Sequence, residues 1–325
     1  MGGDAGTPEG PDLEHGVASE DVKEGTPLAG RVGDEGVLLT RIEGRCYAVG
    51  ASCTHYGGPL AHGIVDGHQV RCPWHHAAFD LRTGAADRPP ALAPLPCFAV
   101  EESNGRVRVT GRKATEVSPA RLTGHPTSVV IVGAGAAGVA AAITLRTEGY
   151  DGPVTIIDDD PDSAVDRPNL SKDYLAGSAP EEWVTLRSSE QLAEQGIVLR
   201  RAHVTALDLA GRQLQLDGGA TLSWGALLLA TGASPIRLQI PTVASLPLLT
   251  LRSLADSRAI IQAATRTPNA RAVVIGASFI GLEVAASLRA RGVEVHVVAP
   301  EARPLERILG ADVGDWVRRV HEAHG

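Results

Sequence analysis

Short apolar runs separated by turn residues dominate the first third of the chain, and they read as strands rather than helices. Residues 45–49 (Arg-Cys-Tyr-Ala-Val) and 68–72 (His-Gln-Val-Arg-Cys) are two of them. Asn104-Gly105, between the apolar runs 98–100 and 107–109, is a hairpin signal, because this dipeptide accepts the left-handed conformations of a tight two-residue turn. Residues 13–112 are therefore expected to form a small antiparallel β domain. The stretch 88–96, Arg-Pro-Pro-Ala-Leu-Ala-Pro-Leu-Pro, cannot be a central strand, since proline has no N–H to give.

The pattern changes after residue 126. Four consecutive apolar residues, 129–132, read as a buried strand, the Ala-rich stretch 139–147 as the helix after it, and 154–157 as a second strand. The same order returns with a strand at 272–275, a helix through Arg289 and a strand at 293–298, while 227–229 add one more apolar strand. Such alternation predicts an α/β fold with a parallel sheet. Residues 113–126 mix charge, Thr and Pro without a period and read as a linker. The expected layout is a tail at 1–12, the β domain at 13–112, the linker at 113–126, and two α/β domains at 127–247 and 248–325.

Composition narrows the function classes. Thirty basic against thirty-eight acidic side chains leave a net charge of −8, which argues against nucleic acid or an anionic membrane as a partner. No run approaches about eighteen apolar residues, and the Gly/Asp/Pro-rich start lacks a basic segment followed by an apolar one. A soluble, cytoplasmic protein is expected.

Two clusters carry chemistry in the β domain: Cys53-Thr54-His55 and, after sixteen intervening residues, Cys72-Pro73-Trp74-His75. Together they offer two thiolates and two imidazoles. Structural zinc sites pair like ligands, as C-x₂₋₄-C and H-x₃₋₅-H, whereas each cluster here mixes one Cys with one His. The mixed set suits a Rieske [2Fe–2S] centre, where two cysteines hold one iron and two histidines the other. The remaining cysteines, Cys46 and Cys97, have no such spacing and are expected to be buried small hydrophobes.

In the α/β part, the strand at 129–132 runs into Gly133-Ala134-Gly135-Ala136-Ala137-Gly138, a G-x-G-x-x-G dinucleotide fingerprint. Gly133 makes the turn, Gly135 lets backbone approach a diphosphate, and Gly138 packs helix on strand. The helix N-terminus then offers unpaired N–H groups to the anion. Asp158-Asp159-Asp160 follow at about the twenty-residue offset of a ribose-binding acid. The second occurrence reads Gly276-Ala277-Ser278-Phe279-Ile280-Gly281, with Glu301 twenty residues past Gly281 and Ser278 in place of the middle glycine.

The segments CTHYGGPL and CPWHHAAFD resemble the two cluster-binding loops of Rieske ferredoxin-type domains over residues 13–112, with His76 where many members of that family have Gly. In such domains a proline-rich segment covers the cluster loops. Residues 88–96 therefore either shield the cluster or form a rigid connection. The strand and turn Leu229-Ala230-Thr231-Gly232 resembles the A-T-G motif of two-dinucleotide flavoprotein reductases, and Arg167-Pro168-Asn169-Leu170-Ser171-Lys172 resembles the R-P-x-L-S-K signature of the ferredoxin-reductase and apoptosis-inducing-factor branch. Almost the whole chain thus resembles the Rieske-containing, apoptosis-inducing-factor-like NAD(P)H reductases.

The resemblance implies a multi-domain protein: an antiparallel β Rieske domain followed by an α/β two-dinucleotide-binding, Rossmann-like flavoprotein fold. FAD is expected at the first fingerprint and a nicotinamide nucleotide at the second. It assigns to FAD the residues Gly133, Gly135, Ala136, Ala137 and Gly138, then Asp159 with Asp160 on the adenosine ribose, then Arg167, Lys172, Val204, Thr231, Gly232 and Arg252. To the nicotinamide nucleotide it assigns Gly276, Ser278, Gly281, Glu283 and Glu301. Glu301 would accept the 2′-hydroxyl and favour NADH, although Arg303 and Arg307 close behind it are the residue type a 2′-phosphate needs. Arg167 could alternatively form a surface ion pair with Asp166.

The implied reaction carries electrons from NAD(P)H through FAD to the cluster at Cys53, His55, Cys72 and His75, and on to a redox protein or small-molecule acceptor. No cysteine lies between Gly138 and Gly325, which excludes a thiol–disulfide relay. Hydride transfer needs no acid–base or nucleophilic side chain, and none is assigned. In the resembling family the chain continues past the point reached by Gly325, with a returning G-D motif and an interface domain. An incomplete second nucleotide domain, low stability alone and weak FAD retention are therefore expected. The other reading is a non-enzymatic Rieske electron carrier or sensor with a degenerate nucleotide part.

Overall fold

The computed structural model describes residues 10–113, 124–162, 164–238, 248–266 and 268–325. Residues 1–9 of the expected tail, 114–123 of the expected linker, and the expected boundary at 247 lie outside the described residues. The chain divides into two compact units, residues 1–119 and 120–325.

The described residues of the first unit form ten strands: β1 (Val17–Ala18), β2 (Leu28–Val32), β3 (Glu35–Ile42), β4 (Arg45–Gly50), β5 (Ile64–Asp66), β6 (Gln69–Arg71), β7 (Ala78–Asp80), β8 (Ala86–Arg88), β9 (Cys97–Ser103) and β10 (Arg106–Arg112). They form two antiparallel sheets, ordered β1-β10-β9-β4-β3-β2 and β5-β6-β7-β8. β3 lacks polar–apolar alternation because both of its faces are covered. Val37 and Leu39 enter one apolar cluster with Phe98, Val107 and Val109, while Leu38 enters another with Val70, Phe79 and Leu95. Period two here sorts side chains between two cores instead of between core and water. The β9–β10 hairpin turns at Asn104 and Gly105, both at positive φ (49° and 71°), as the dipeptide requires.

The second unit comprises β11 (Val129–Val132), α1 (Ala136–Thr147), β12 (Val154–Asp158), β13 (Ala164–Val165), α2 (Asp173–Ala176), β14 (Thr185–Arg187), α3 (Ser189–Glu194), β15 (Ile197–Arg201), β16 (Val204–Asp208), β17 (Gln213–Leu216), β18 (Thr221–Ser223), β19 (Ala226–Leu229), α4 (Leu254–Thr265), β20 (Arg271–Ile275), α5 (Phe279–Ala290), β21 (Glu294–Val298), α6 (Glu306–Leu309) and α7 (Ala311–Ala323). β15, β12, β11 and β19 make a parallel sheet in that order. Every residue of β11 is buried, as its continuous apolar run implies. α1 buries Gly138, Val139, Ala142 and Ile143, two pairs at i, i+4 that share one face. β16–β18 form an antiparallel meander, and among the described residues β20 pairs in parallel with β21 alone. Among the described residues no helix is long and apolar enough to cross a membrane.

Candidate functional site

Cys53 and His55 lie in the loop between β4 and β5, and Cys72 and His75 lie in the β6–β7 turn. The two loops close alike. The Cys53 N–H donates to the Gly58 carbonyl at 2.9 Å and the Cys53 carbonyl accepts from the Gly57 N–H at 2.8 Å; the Cys72 N–H donates to the Ala77 carbonyl at 2.8 Å and the Cys72 carbonyl accepts from the His76 N–H at 3.1 Å. The residue four past each cysteine, Gly57 or His76, is left-handed, with φ of 73° and 62°. The histidine that stands where glycine is usual therefore sits in a conformation costing roughly 1–2 kcal/mol for a residue with a Cβ.

Both thiols are buried, at 4 % and 1 % exposure. Burial pushes the Cys53 thiol up to about 11, and the neighbouring Cys72 adds to the rise. A metal at this pair must displace protons to bind. The imidazoles of His55 and His75 meet edge to face with ring centroids 5.1 Å apart, and the Tyr56 ring lies 4.1 Å from that of His55. A Cβ at Gly58 would come within 2.8 Å of the Cys72 Sγ, so only glycine lets the first loop approach the second this closely. Among the described residues no three His, Cys, Asp or Glu side chains gather as a single ion would need; the thiols pair with each other and the imidazoles with each other. This donor set fits a Rieske cluster, two ligands to each iron.

Ala91 and Leu95 of the proline-rich segment belong to the same buried cluster as Cys53 and Cys72, and the Thr54 Oγ1 donates to the Ala93 carbonyl at 2.6 Å. The segment packs into the same core as the thiols. Cys97 is buried there as expected. Cys46 departs from expectation: it is half-buried, and its thiol lies 3.8 Å from the Glu102 carboxylate, which pairs with Arg41.

In the second unit, the first fingerprint turns at Gly133, where φ is 109° and a Cβ would lie 2.3 Å from the Ala230 carbonyl oxygen. Thr231 and Gly232 thus stand against the fingerprint. Ala136 and Ala137 open α1 with neither an acidic residue in its first turn nor a side-chain cap, which leaves the N–H groups to an anion. Two arginines converge over this loop. A Cβ at Gly135 would meet the Arg167 Nη1 at 3.0 Å, and one at Gly232 would meet the Arg252 Nη2 at 2.9 Å. Neither is in a salt bridge among the described residues. Burial and then the charge of Arg252 pull the Arg167 guanidinium below its ordinary range. A half-buried cation facing another cation asks for an anion, and a diphosphate fits. Arg252 is fixed by the capping box of α4: its N–H and that of Ser253 donate to Asp256 at 2.9 Å, while the Asp256 N–H donates to the Ser253 Oγ.

The three aspartates after β12 separate. Asp158, to which the resemblance gave no role, accepts a hydrogen bond from the Ala134 N–H inside the fingerprint. Asp159 is exposed and pairs with His203 at 2.7 Å. Asp160 is half-buried, and burial raises its carboxyl. Val204 packs against the apolar cluster of Val130, Val132 and Ile157.

The second fingerprint repeats the geometry. Gly276 has φ of 114°, and its N–H donates to the Val298 carbonyl at 2.8 Å, as the Gly133 N–H does to Ile157 at 2.7 Å. Ser278 takes the extended conformation of Gly135, which any residue adopts. A Cβ at Gly281 would lie 2.0 Å from the Gly276 carbonyl, so its glycine is required. Glu301 pairs with Arg307 at 3.2 Å.

Lys172 and Glu283, assigned to different nucleotides, form an ion pair at 2.9 Å, and Glu283 also accepts from the Ser171 Oγ at 2.6 Å. The buried Ser287 Oγ donates to the Ser171 carbonyl at 2.7 Å. The helix that begins at the second fingerprint therefore holds the segment belonging to the first.

These loops, sheets and fingerprints define an α/β protein with two dinucleotide-type units, joined in one chain to a β domain built around paired Cys/His loops. The family profile described as pyridine nucleotide-disulphide oxidoreductase matches residues 127–325, and that of the Rieske [2Fe-2S] domain matches residues 16–99. The chain belongs to the pyridine nucleotide-disulphide oxidoreductase family and carries a Rieske domain ahead of it. It is 34 % identical over 316 residues to "Apoptosis-inducing factor 3" of Homo sapiens, covering 93 % of this chain and 51 % of that protein. Over 198 residues it is 39 % identical to "Biphenyl dioxygenase system ferredoxin--NAD(+) reductase component" of Paraburkholderia xenovorans, covering 61 % of this chain and 48 % of that one. Among solved structures, the ferredoxin reductase for the CYP199A2 system from Rhodopseudomonas palustris matches with a TM-score of 0.57 and 36 % identity over 61 % of this chain and 49 % of that one. The chain spans about half the length of the curated relatives it matches.

Proposed function

We propose that the chain is part of an oxidoreductase that takes electrons from NADH, through FAD, to a Rieske cluster and then to an acceptor. The observation that carries this reading is the Lys172–Glu283 ion pair, which joins the FAD-side segment to the helix of the second fingerprint. When bound, flavin accepts two electrons from a nicotinamide nucleotide and a [2Fe–2S] cluster accepts one. The chain's own residues bind and orient. Gly133, Gly135, the N–H groups of Ala136 and Ala137, Arg167 and Arg252 would hold the FAD diphosphate, and Asp158 keeps the loop's turn in place. Asp160 is better placed than Asp159 for the adenosine ribose, since Asp159 is engaged by His203. Lys172 would place a positive charge beside the reducible ring, with Glu283 setting its position. Gly276, Ser278, Gly281 and Glu301 would receive the nicotinamide nucleotide, and the reductases named for NAD(+) among the relatives support NADH. Cys53 and Cys72 would hold one iron and His55 and His75 the other; His75 is exposed. The ferredoxin-type partners in the relatives' names support a redox protein as that acceptor.

A second reading, a Rieske carrier whose nucleotide part does not turn over, is favoured by the open faces of β20 and β21, where Val273 is 65 % and Val298 55 % exposed. Anaerobic titration of the iron- and FAD-loaded chain with NADH, followed by visible and electron paramagnetic resonance spectra, separates the two. The first reading expects flavin bleaching and a reduced Rieske signal. A cluster reducible by dithionite but untouched by NADH would overturn it.

A further inference from the structure

The two strand–helix–strand units can be superposed residue by residue through their pairings. Val132 pairs with Ile157 and Ile275 with Val298, and each following glycine N–H bonds the carbonyl of that partner. Asp158 thus corresponds to Ala299 and Asp160 to Glu301. The second unit has no acid at the strand end, so the only carboxylate in the ribose position is Glu301. The segment after it bends back onto the fingerprint, where the Leu305 N–H donates to the Ala277 carbonyl at 3.2 Å. Both arginines of this segment are already engaged. The Arg303 Nε donates to Asp315 at 2.8 Å and its Nη1 to Glu306 at 3.2 Å, while Arg307 pairs with Glu301 itself. α7 is fitted closely against the segment: a Cβ at Gly314 would meet the Pro304 carbonyl at 2.8 Å and the Arg303 Cβ at 3.1 Å, and Arg318 donates to the Ala302 carbonyl.

We infer that Asp315, with Glu306, is a specificity-determining residue of the second nucleotide site: by holding Arg303 it withholds the guanidinium a 2′-phosphate needs and leaves Glu301 to receive a 2′-hydroxyl. The inference rests on the reading that this fingerprint takes a nicotinamide nucleotide, and it adds that α7 sets the choice between NADH and NADPH. An arginine satisfied by two carboxylates must give them up to bind a phosphate, whereas a ribose hydroxyl donates to Glu301 without disturbing either pair. Asp315 acts through Arg303 and does not itself touch the nucleotide.

The test is calorimetric titration of the full chain with NADH and, separately, NADPH. The native chain is expected to bind NADH more tightly. Asp315→Ala is expected to raise NADPH affinity relative to NADH by about threefold to tenfold, the scale of one or two partly exposed ion pairs. Asp315→Glu should restore the native ratio, and Asp315→Ala combined with Arg303→Ala should lose the gain. An unchanged ratio in Asp315→Ala, with NADH still bound and the circular dichroism spectrum native, overturns the role of Asp315. Failure of the native chain to bind either nucleotide overturns the underlying assignment of the fingerprint, and the inference with it.

Discussion

The unit β11-α1-β12 and the unit β20-α5-β21 share a plan, a glycine turn and a closing glycine, yet they sit in different surroundings. β11 lies between β12 and β19 with every residue buried, whereas β20 has one neighbour and leaves Val273 and Ile275 65 % and 49 % exposed. The first unit has Asp158 at its strand end and two arginines over its loop; the second has Ala299 and a loop whose arginines, Arg303 and Arg307, are paired with carboxylates. Strand–helix packing alone thus makes the fingerprint, and what flanks it decides which anion it holds and how rigidly. Sequence motifs report the first of these properties far better than the second.

The largest effect expected from this contrast comes from closing the helix–strand contact in each unit. Gly138→Ala would place a Cβ 1.9 Å from the Gly133 carbonyl, and Gly281→Ala one 2.0 Å from that of Gly276. The clashes are equal, so any difference comes from the surroundings. In the first unit β11 is buried throughout and held between two strands, and a loss of about 3 kcal/mol is expected, the upper part of the range for overpacking. In the second unit β20 has an open face and can yield, and about 1 kcal/mol is expected. Urea denaturation followed by far-ultraviolet circular dichroism measures both. Equal losses would mean that the exposed pair is packed as tightly as the buried sheet, and the contrast would fail.

Next in size is the arginine pair that only the first unit has. Arg252→Ala is expected to lower FAD affinity by roughly ten- to a hundredfold, the loss of a charge-assisted hydrogen bond to a diphosphate. Without FAD the same change removes a repulsion, since the charge of Arg252 adds to burial in pulling Arg167 below its ordinary range. The apo melting temperature should therefore stay level or rise while FAD binding, read by flavin fluorescence, falls. A fall in both would make Arg252 a structural residue and remove the electrostatic half of the contrast.

The positions readable in the sequence were those whose chemistry depends on near neighbours. The ligand loops are short turns closed by their own backbones, and the hairpin at Asn104-Gly105 follows from two left-handed residues. The buried strand at 129–132 was legible because continuous apolar residues have few other uses. What escaped depends on distant parts of the chain. Lys172 and Glu283 stand 111 positions apart and were assigned to different nucleotides, yet they pair. The offset admitted Asp158, Asp159 and Asp160 alike and the family resemblance favoured the last two, because only the end of β12 and the return to the Ala134 N–H show which carboxylate serves the loop. A signal was present in retrospect: Asp158 directly follows the last apolar residue of its strand, whereas Ala299 holds that place in the second unit. Cys46 was misjudged as buried because the Arg41–Glu102 pair beside it comes from two other strands.

A smaller effect is expected from the middle position of the two fingerprints. Ser278→Gly removes a Cβ from the loop that a diphosphate must approach, and severalfold tighter NADH binding is expected. Gly135→Ser should do the reverse at the first site, where its Cβ would also press on Arg167 at 3.0 Å. Titration of each nucleotide against the matched variants checks both. If Ser278→Gly leaves NADH affinity unchanged, the diphosphate does not lie over residue 278, and the two units differ in their mode of binding as well as in their surroundings.

The smallest effect concerns the clamps behind the two acid loops. In the first unit Arg258 of α4 bridges Asp162, just past Asp160, to Glu181, and in the second Arg303 bridges Glu306 to Asp315. The hydrogen bonds of Arg258, and then of Tyr174, hold the Glu181 carboxyl down at about 2, against an ordinary value of 4.5. The sign follows: a depressed acid contributes its stability fully above about pH 4.5 and loses it as pH falls toward 2. Because Glu181 and Arg258 are each 44 % exposed, solvent screening limits the contribution to about 1 kcal/mol or less. Glu181→Gln should therefore lower stability at pH 7 by that amount and flatten the decline between pH 4.5 and 2. The matched Asp315→Asn variant tests whether the second clamp stabilises its loop as well as directing its arginine. If Glu181→Gln steepens the acid decline, the Glu181–Arg258 pair is not what ties the first loop to α4, and the parallel between the two clamps is broken at the first unit.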